Sequence, residues 1–286
     1  NDVIYFTKNK FGLEKLDKGY ALYLTDDGMC PLNIILQMML VEHGISMIHA
    51  SAFQKDLGGI VVMPAFAEAG KTSLLGVLAK TDQYRFLGDD VVLLSKEGEC
   101  LAYPRSIVLQ KYHQKIFSNL FSELNISHAR DSIVKSTKKF IKENIPFKGL
   151  IKSLFPGKIN TNMLNYDNHL ATVPLENFVG ENNIASKGKI EKIIFLQRYN
   201  GKDIKSNLID TDNMSVRLLS IMHLEWLNYL VIPLTYAGFG KFNIASYYSK
   251  VNDIIEKAIA GKPCHILYIP QTLDAVEVAD YLESLI

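Results

Sequence analysis

Apolar residues in this chain fall in short runs broken by polar, turn-rich stretches, and two spacings alternate along it. Residues 3–6 and 20–24 predict short strands. Residues 31–42 have helical spacing, with Leu32, Ile35, Leu36 and Met39 on one face and His43-Gly44 as a stop. Residues 47–53 and 59–63 predict consecutive strands around a polar turn at 54–57. Residues 72–80 predict an amphipathic helix and 84–87 a buried strand. Residues 91–94 and 100–103 flank Lys96-Glu97-Gly98 as a hairpin.

Helical patterns follow over 112–124 and 131–143. Further on the pattern predicts a strand at 169–173 ending before Pro174, a loop at 180–188 and a buried strand at 192–197. An apolar helix at 216–230 carries Trp226, read as core. A glycine-punctuated loop at 236–242, an amphipathic helix at 246–259, a strand at 263–269 and a closing helix at 273–286 complete the chain. Strands alternating with helices predict an α/β protein.

One strand-to-helix junction carries chemistry. Gly59–Met63 runs into Pro64-Ala65-Phe66-Ala67-Glu68-Ala69-Gly70-Lys71-Thr72-Ser73, with a helix directly after. The first turn of a helix leaves backbone N–H groups without partners at the positive end of its dipole. A loop wrapping back over that turn aims several of them at one anion. In this reading Ala67, Glu68, Ala69, Gly70, Lys71, Thr72 and Ser73 bind nucleotide phosphates. Gly70 allows close backbone approach, Lys71 supplies charge to the outer phosphates, and Thr72 offers a hydroxyl to Mg²⁺. Ala65 stands where the full pattern has glycine. Alanine held there at positive φ costs roughly 1–3 kcal/mol. The Glu68 side chain is expected to point outward. After the helix, Phe86-Leu87-Gly88-Asp89-Asp90 ends a strand in two carboxylates. One suits a metal ion and the other a proton from an attacking hydroxyl.

Ile48-His49-Ala50-Ser51-Ala52-Phe53, the loop 65–72 and Gly88-Asp89-Asp90 resemble, in order and spacing, the catalytic domain of HPr kinase/phosphorylase. They also resemble the phosphoenolpyruvate carboxykinase-like nucleotide-binding fold to which it belongs. The likeness centres on residues 45–110. It implies a mixed-sheet nucleotide-binding core with a helical insertion, ATP and Mg²⁺ as cofactors, and phosphate transfer to a hydroxyl. It also implies Lys71 on the β- and γ-phosphates, Thr72 on Mg²⁺, Asp89 as base, Asp90 on metal or phosphate, and His49 near the site. Ala65 and Glu68 replace two loop glycines of those kinases, and their later Gly-Arg-Asn signature is not found.

Two arginines are further candidates. Arg198, at the end of the 192–197 strand, is read as a γ-phosphate contact, because strand ends in such folds face the ligand. Arg105 is read as a substrate contact, its fork suiting phosphate or carboxylate. Between them, residues 131–160 are lysine-rich: Lys135, Lys138, Lys139, Lys142, Lys148, Lys152 and Lys158. A basic helical insertion there is expected to act as a lid or as a dock for an acidic partner.

Composition narrows the reading. The chain has 286 residues, enough to bury a full core. Lys and Arg total 31 against 30 Asp and Glu, so no global field favours nucleic acid. Apolar runs are too short to span a bilayer, and no signal-peptide pattern is read. An odd count of 3 cysteines argues against a disulfide framework and fits a reducing cytoplasm. Four parts are expected: a small α/β lead-in over 1–45, shielding one edge of the core sheet; a phosphate-loop kinase core over 46–110; the basic insertion over 111–160; and the rest of the core over 161–286. The acceptor is a seryl side chain of a protein or peptide, or a small alcohol. The competing reading is a non-catalytic nucleotide sensor with a degenerate loop. Oligomeric state and the natural N-terminus are left open.

Overall fold

The computed structural model describes residues 3–7, 10–24, 31–56, 58–103, 105–123 and 169–286. The lysine-rich stretch at 131–160, with the helix expected at 131–143, lies wholly outside them.

Strands β1 (Ile4–Phe6), β2 (Phe11–Leu16) and β3 (Gly19–Leu24) pair antiparallel as a small sheet. Helix α1 (Leu32–Glu42) leads into β4 (Ile45–Ile48). The chain bends at His49 and resumes as β5 (Ala50–Lys55), β6 (Ile60–Pro64), α2 (Lys71–Leu78) and β7 (Tyr84–Gly88). Strands β8 (Val92–Ser95) and β9 (Glu99–Leu101) form the expected hairpin. Next come β10 (Ile107–Gln110) and two short helices, α3 (His113–Ile116) and α4 (Ser118–Glu123). The remainder is β11 (His169–Val173), α5 (Leu175–Val179), β12 (Lys187–Tyr199), β13 (Lys205–Ile209), α6 (Thr211–Glu225), α7 (Val231–Gly238), α8 (Ile244–Ile259), β14 (Cys264–Pro270) and α9 (Ala275–Glu283).

Nine strands make one large mixed sheet, and its order explains where the functional residues meet. β6, β12 and β14 are parallel, so their carboxyl ends share one side. β5 runs antiparallel to β6, which brings its first residues to that side. β7 is antiparallel to β5, so it too ends there. The acid-bearing β7 is not adjacent to the loop-bearing β6: β5 lies between them, because β5 and β6 form a tight antiparallel pair and β7 can add only on the free edge of β5.

Two hydrophobic layers cover the sheet, and strand periodicity assigns residues to them. Ile60 and Val62 of β6, with Ile193 and Phe195 of β12, face α1, α6 and α8. Val61 and Met63, with Ile194 and Leu196, face α2, α9 and the short helices. Burying each such side chain stabilises the fold by about 1.5–3 kcal/mol. Trp226 is buried, as expected. The small sheet sends Phe11 and Leu13 into the first layer, so it packs on a face of the core. Helix starts are set by local caps: Asp210 accepts from Asn213 N, Asn243 from Ser246 N, and Asp274 forms a capping box with Glu277.

Several elements differ from expectation. Strands β2, β10 and β13 and helix α5 are additional to those predicted, and the helix expected over 112–124 is two short ones, α3 and α4. Residues 231–238, wholly beyond the predicted helix at 216–230, form α7, and Pro233 sits in its first turn, where its missing N–H costs nothing. Among the described residues no helix is long and apolar enough to cross a membrane.

Candidate active site

The turn from β6 into α2 is built by two left-handed residues. Gly70, the N-cap of α2, has φ +101°, and Glu68 has φ +64°. The left-handed backbone angle at Gly70 favours glycine, and a Cβ there would crowd Arg198 Nη2 at 3.0 Å. Ala65 bears no such strain. It continues β6 and bridges to Leu196 of β12, so the cost considered for alanine falls on Glu68 instead, about 1–2 kcal/mol. The Glu68 side chain is exposed, as expected.

The turn leaves its amides open. Ala69 N bonds Phe66 O, and Ala67 N donates to Glu225 Oε1 at 2.9 Å. The N–H groups of Glu68, Gly70, Lys71, Thr72 and Ser73 have no partner among the described residues. Five free donors at one helix start make an anion cradle.

Lys71 lies beneath it, only 4% exposed. Its Nζ donates to Ala65 O at 2.9 Å, to Phe66 O at 3.3 Å and to His49 Nε2 at 3.0 Å. All three ammonium hydrogens are thereby used within the chain. Burial pulls the lysine pKa down, and the carboxylates of Asp90, Asp89 and Glu225 oppose that pull. His49 is held neutral, first by burial and then by the Lys71 charge. Its Nε2 therefore accepts from the ammonium. The bend at His49 between β4 and β5 delivers this ring to the cradle.

Asp89 is 3% exposed, and both its oxygens are engaged. Ser51 Oγ donates to Oδ1 at 2.5 Å and Thr72 Oγ1 to Oδ2 at 2.6 Å. Burial raises its pKa, the neighbouring Asp90 adds to the rise, and the two hydroxyls oppose it. Asp90 is half-buried and sits at φ +65°. Val91 N donates to Asp89 O at 2.9 Å, which closes a γ-turn on Asp90. Gly88 permits that turn, since a Cβ there would meet Val91 O at 2.7 Å. The two acids thus leave the strand on a strained turn and do not alternate as extended residues would.

Arg198 lies on the other flank of the loop. Its Nε donates to Ala69 O at 3.2 Å, and its Nη1 to Pro270 O at 2.8 Å and Leu273 O at 3.2 Å. It clamps the β6–α2 turn to the segment after β14. Only Nη2, beside Gly70, remains free of hydrogen bonds among the described residues. Arg105 is exposed, makes no side-chain hydrogen bond there, and lies near enough to His49 to oppose its protonation.

Sequence reasoning missed Glu225. It reaches the loop from the end of α6 across 158 residues, a pairing that no local spacing signals.

The donor set suits Mg²⁺. No group of three or more His, Cys, Asp or Glu gathers as a metal cage among the described residues. Magnesium is usually held by one or two carboxylates together with substrate phosphates. Thr72, Asp89 and Asp90 supply hard oxygens of that kind next to the cradle.

No protein-family model and no curated protein matches the chain. Among solved structures it is similar to the Hpr(Ser) kinase/phosphatase from Coxiella burnetii, at 8% identity and a TM-score of 0.35. That match covers 84% of this chain and 93% of the other. It is a distant likeness of fold and gives no correspondence of residues.

Proposed function

We propose that this chain is an ATP-dependent kinase. It transfers the γ-phosphate to a hydroxyl on a seryl side chain of a protein or peptide, or on a small alcohol. The observation that carries the proposal is the convergence of five unpartnered amides, the Lys71 ammonium and the Asp89–Asp90 turn at one sheet end. Phosphate oxygens accept from the amides, and Lys71 exchanges a carbonyl for a phosphate oxygen. Bound magnesium would neutralise charge on the outer phosphates.

The acceptor oxygen bonds to the γ-phosphorus, the bond to the bridging oxygen breaks, ADP departs, and the hydroxyl proton passes to a carboxylate. The first reading makes Asp89 that base and Asp90 the metal ligand. The hydrogen bonds favour exchanging these roles. Asp89 is buried and already tied to Thr72, the hydroxyl proposed for the metal, whereas Asp90 is the more accessible acid. His49 keeps Lys71 oriented, Arg198 braces the loop, and Arg105, exposed and electrostatically coupled to His49, would meet the acceptor. The phosphoenolpyruvate carboxykinase-like core, the division at 45, 110 and 160, and a cytoplasmic location belong to the same proposal.

A second reading, a nucleotide sensor without transfer, draws support from Asp89 having both oxygens occupied. Incubation with γ-labelled ATP, Mg²⁺ and fractionated seryl peptides, proteins and small alcohols separates the two. Label on an acceptor, lost in Asp89→Asn and Asp90→Asn, supports the kinase. ATP binding without transfer to any fraction supports the sensor. No ATP binding overturns both.

A further inference from the structure

A cleft of about 590 Å³ opens beside the phosphate loop, within the size range of small-molecule sites. Gly70 and Ser73 border it on the loop side, and Arg198 forms part of its wall. Tyr112, Gln271 and Asp274 border it from outside. The Arg198 bonds to Ala69, Pro270 and Leu273 carbonyls fix the loop and the β14–α9 segment at a set separation, so the cleft is a built gap.

Resting on the proposed ATP chemistry, we infer that this cleft receives the nucleoside half of the nucleotide. The cradle's amides run from Glu68 to Ser73, and Glu68, Gly70 and Ser73 all border the cleft. Lys71, Asp89 and Asp90 do not line it, so the reacting end lies away from the cleft and the rest of the ligand continues into it. The lining chemistry fits a neutral ring with hydroxyls better than a second anion. Glu68 also borders the cleft, so two carboxylates face it. Asp274 caps α9 through Oδ1 alone, leaving Oδ2 without a partner among the described residues. A ribose diol donates to such oxygens, whereas a phosphate would be repelled by them. The Gln271 amide both donates and accepts, as a base edge requires.

Tyr112 is 43% exposed and offers an aromatic face for stacking.

The test compares Mg²⁺-ATP with Mg²⁺-tripolyphosphate by calorimetry on the full chain and on Tyr112→Ala and Gln271→Ala. The wild type is expected to bind ATP at least about tenfold more tightly than tripolyphosphate. Tyr112→Ala is expected to weaken ATP about tenfold, the range of base–aromatic stacking, and Gln271→Ala severalfold. Tripolyphosphate binding stays unchanged in both. Tripolyphosphate binding with ATP affinity unaltered by either variant overturns the nucleoside cleft and leaves the kinase reading standing. Equal weakening of both ligands also overturns it, because the side chains would then act on the loop. A wild type that binds neither overturns the kinase reading and the inference with it.

Discussion

Thr72 Oγ1 and Asp89 Oδ2 lie 2.6 Å apart, joining the first turn of α2 to the end of β7. The hydroxyl offered to a metal and the carboxylate offered to it are already in contact. Asp89→Asn keeps the volume and one acceptor oxygen but removes the charge. Phosphate transfer should fall by at least about 100-fold, consistent with loss of a charge stabilising the transition state. The melting temperature should move by only a few degrees. Thr72→Ser should retain activity, and Thr72→Val should not. Single-turnover assays beside thermal melts check both.

Asp90 occupies a backbone region that costs a non-glycine residue about 1–2 kcal/mol. Asp90→Gly relieves that cost and Asp90→Ala does not. Both variants should lose transfer, while urea unfolding should find the glycine variant more stable than the alanine variant by about 1 kcal/mol. Equal stabilities would show that the turn is not strained.

Glu225 accepts from the Ala67 amide and adds negative charge near Lys71. Glu225→Ala should weaken ATP binding severalfold, because the outer side of the loop loses its brace. Glu225→Gln keeps an acceptor oxygen and should recover most of that loss. Calorimetric titration of ATP into the two variants decides it.

His113 is 1% exposed. Its Nδ1 accepts from Gln110 N at 3.0 Å, and its Nε2 has no partner among the described residues. Burial pulls its pKa down from 6.5 to about 4. The sign follows directly. Above 6.5 the ring is neutral in both states and its contribution is fully present. As pH falls from 6.5 towards 4 the unfolded chain takes up a proton that the native chain refuses, and stability declines. Below 4 both states are protonated and the loss is complete. The total is on the order of 3 kcal/mol. Urea unfolding at pH 7.5 and pH 5 should show a smaller difference in His113→Phe than in wild type.

Gly76 faces α3 from within α2. A Cβ there would lie 2.1 Å from Phe117 Cε1. Helix propensity favours alanine by about 1 kcal/mol, and overpacking costs about 1–3 kcal/mol. Gly76→Ala should therefore destabilise the protein, measurable as a lowered urea midpoint with unchanged m-value.

The core of the site was legible because its parts are local. A strand, a Gly-Lys-Thr turn, a helix and a strand ending in two acids span residues 60–90, and each has its own periodicity or turn residue. What the sequence concealed is long-range. β13 has its burial spread without alternation, so a period of two never emerges. The glycines at 238 and 240 suggested a loop that α7 enters only at its end. The γ-turn that redirects Asp89 and Asp90 depends on Val91 closing back, which strand spacing does not reveal. Glu225 and the Arg198 clamp depend on partners brought close only by the finished sheet.

β12 is the strand on which β6 finds its parallel neighbour, and that neighbour is encoded about 130 residues downstream of it. A ribosome therefore finishes the β6–α2 turn long before it makes the strand that supports it. Until β12 and then β14 emerge, the nascent chain holds the loop's residues without the carboxyl-end shelf on which they fold, as expected where pairing is this non-local. The nucleotide affinity proposed for this site should accordingly arise late in synthesis, and a translation product stopped before β12 should carry the whole β6–α2 turn and bind no ATP.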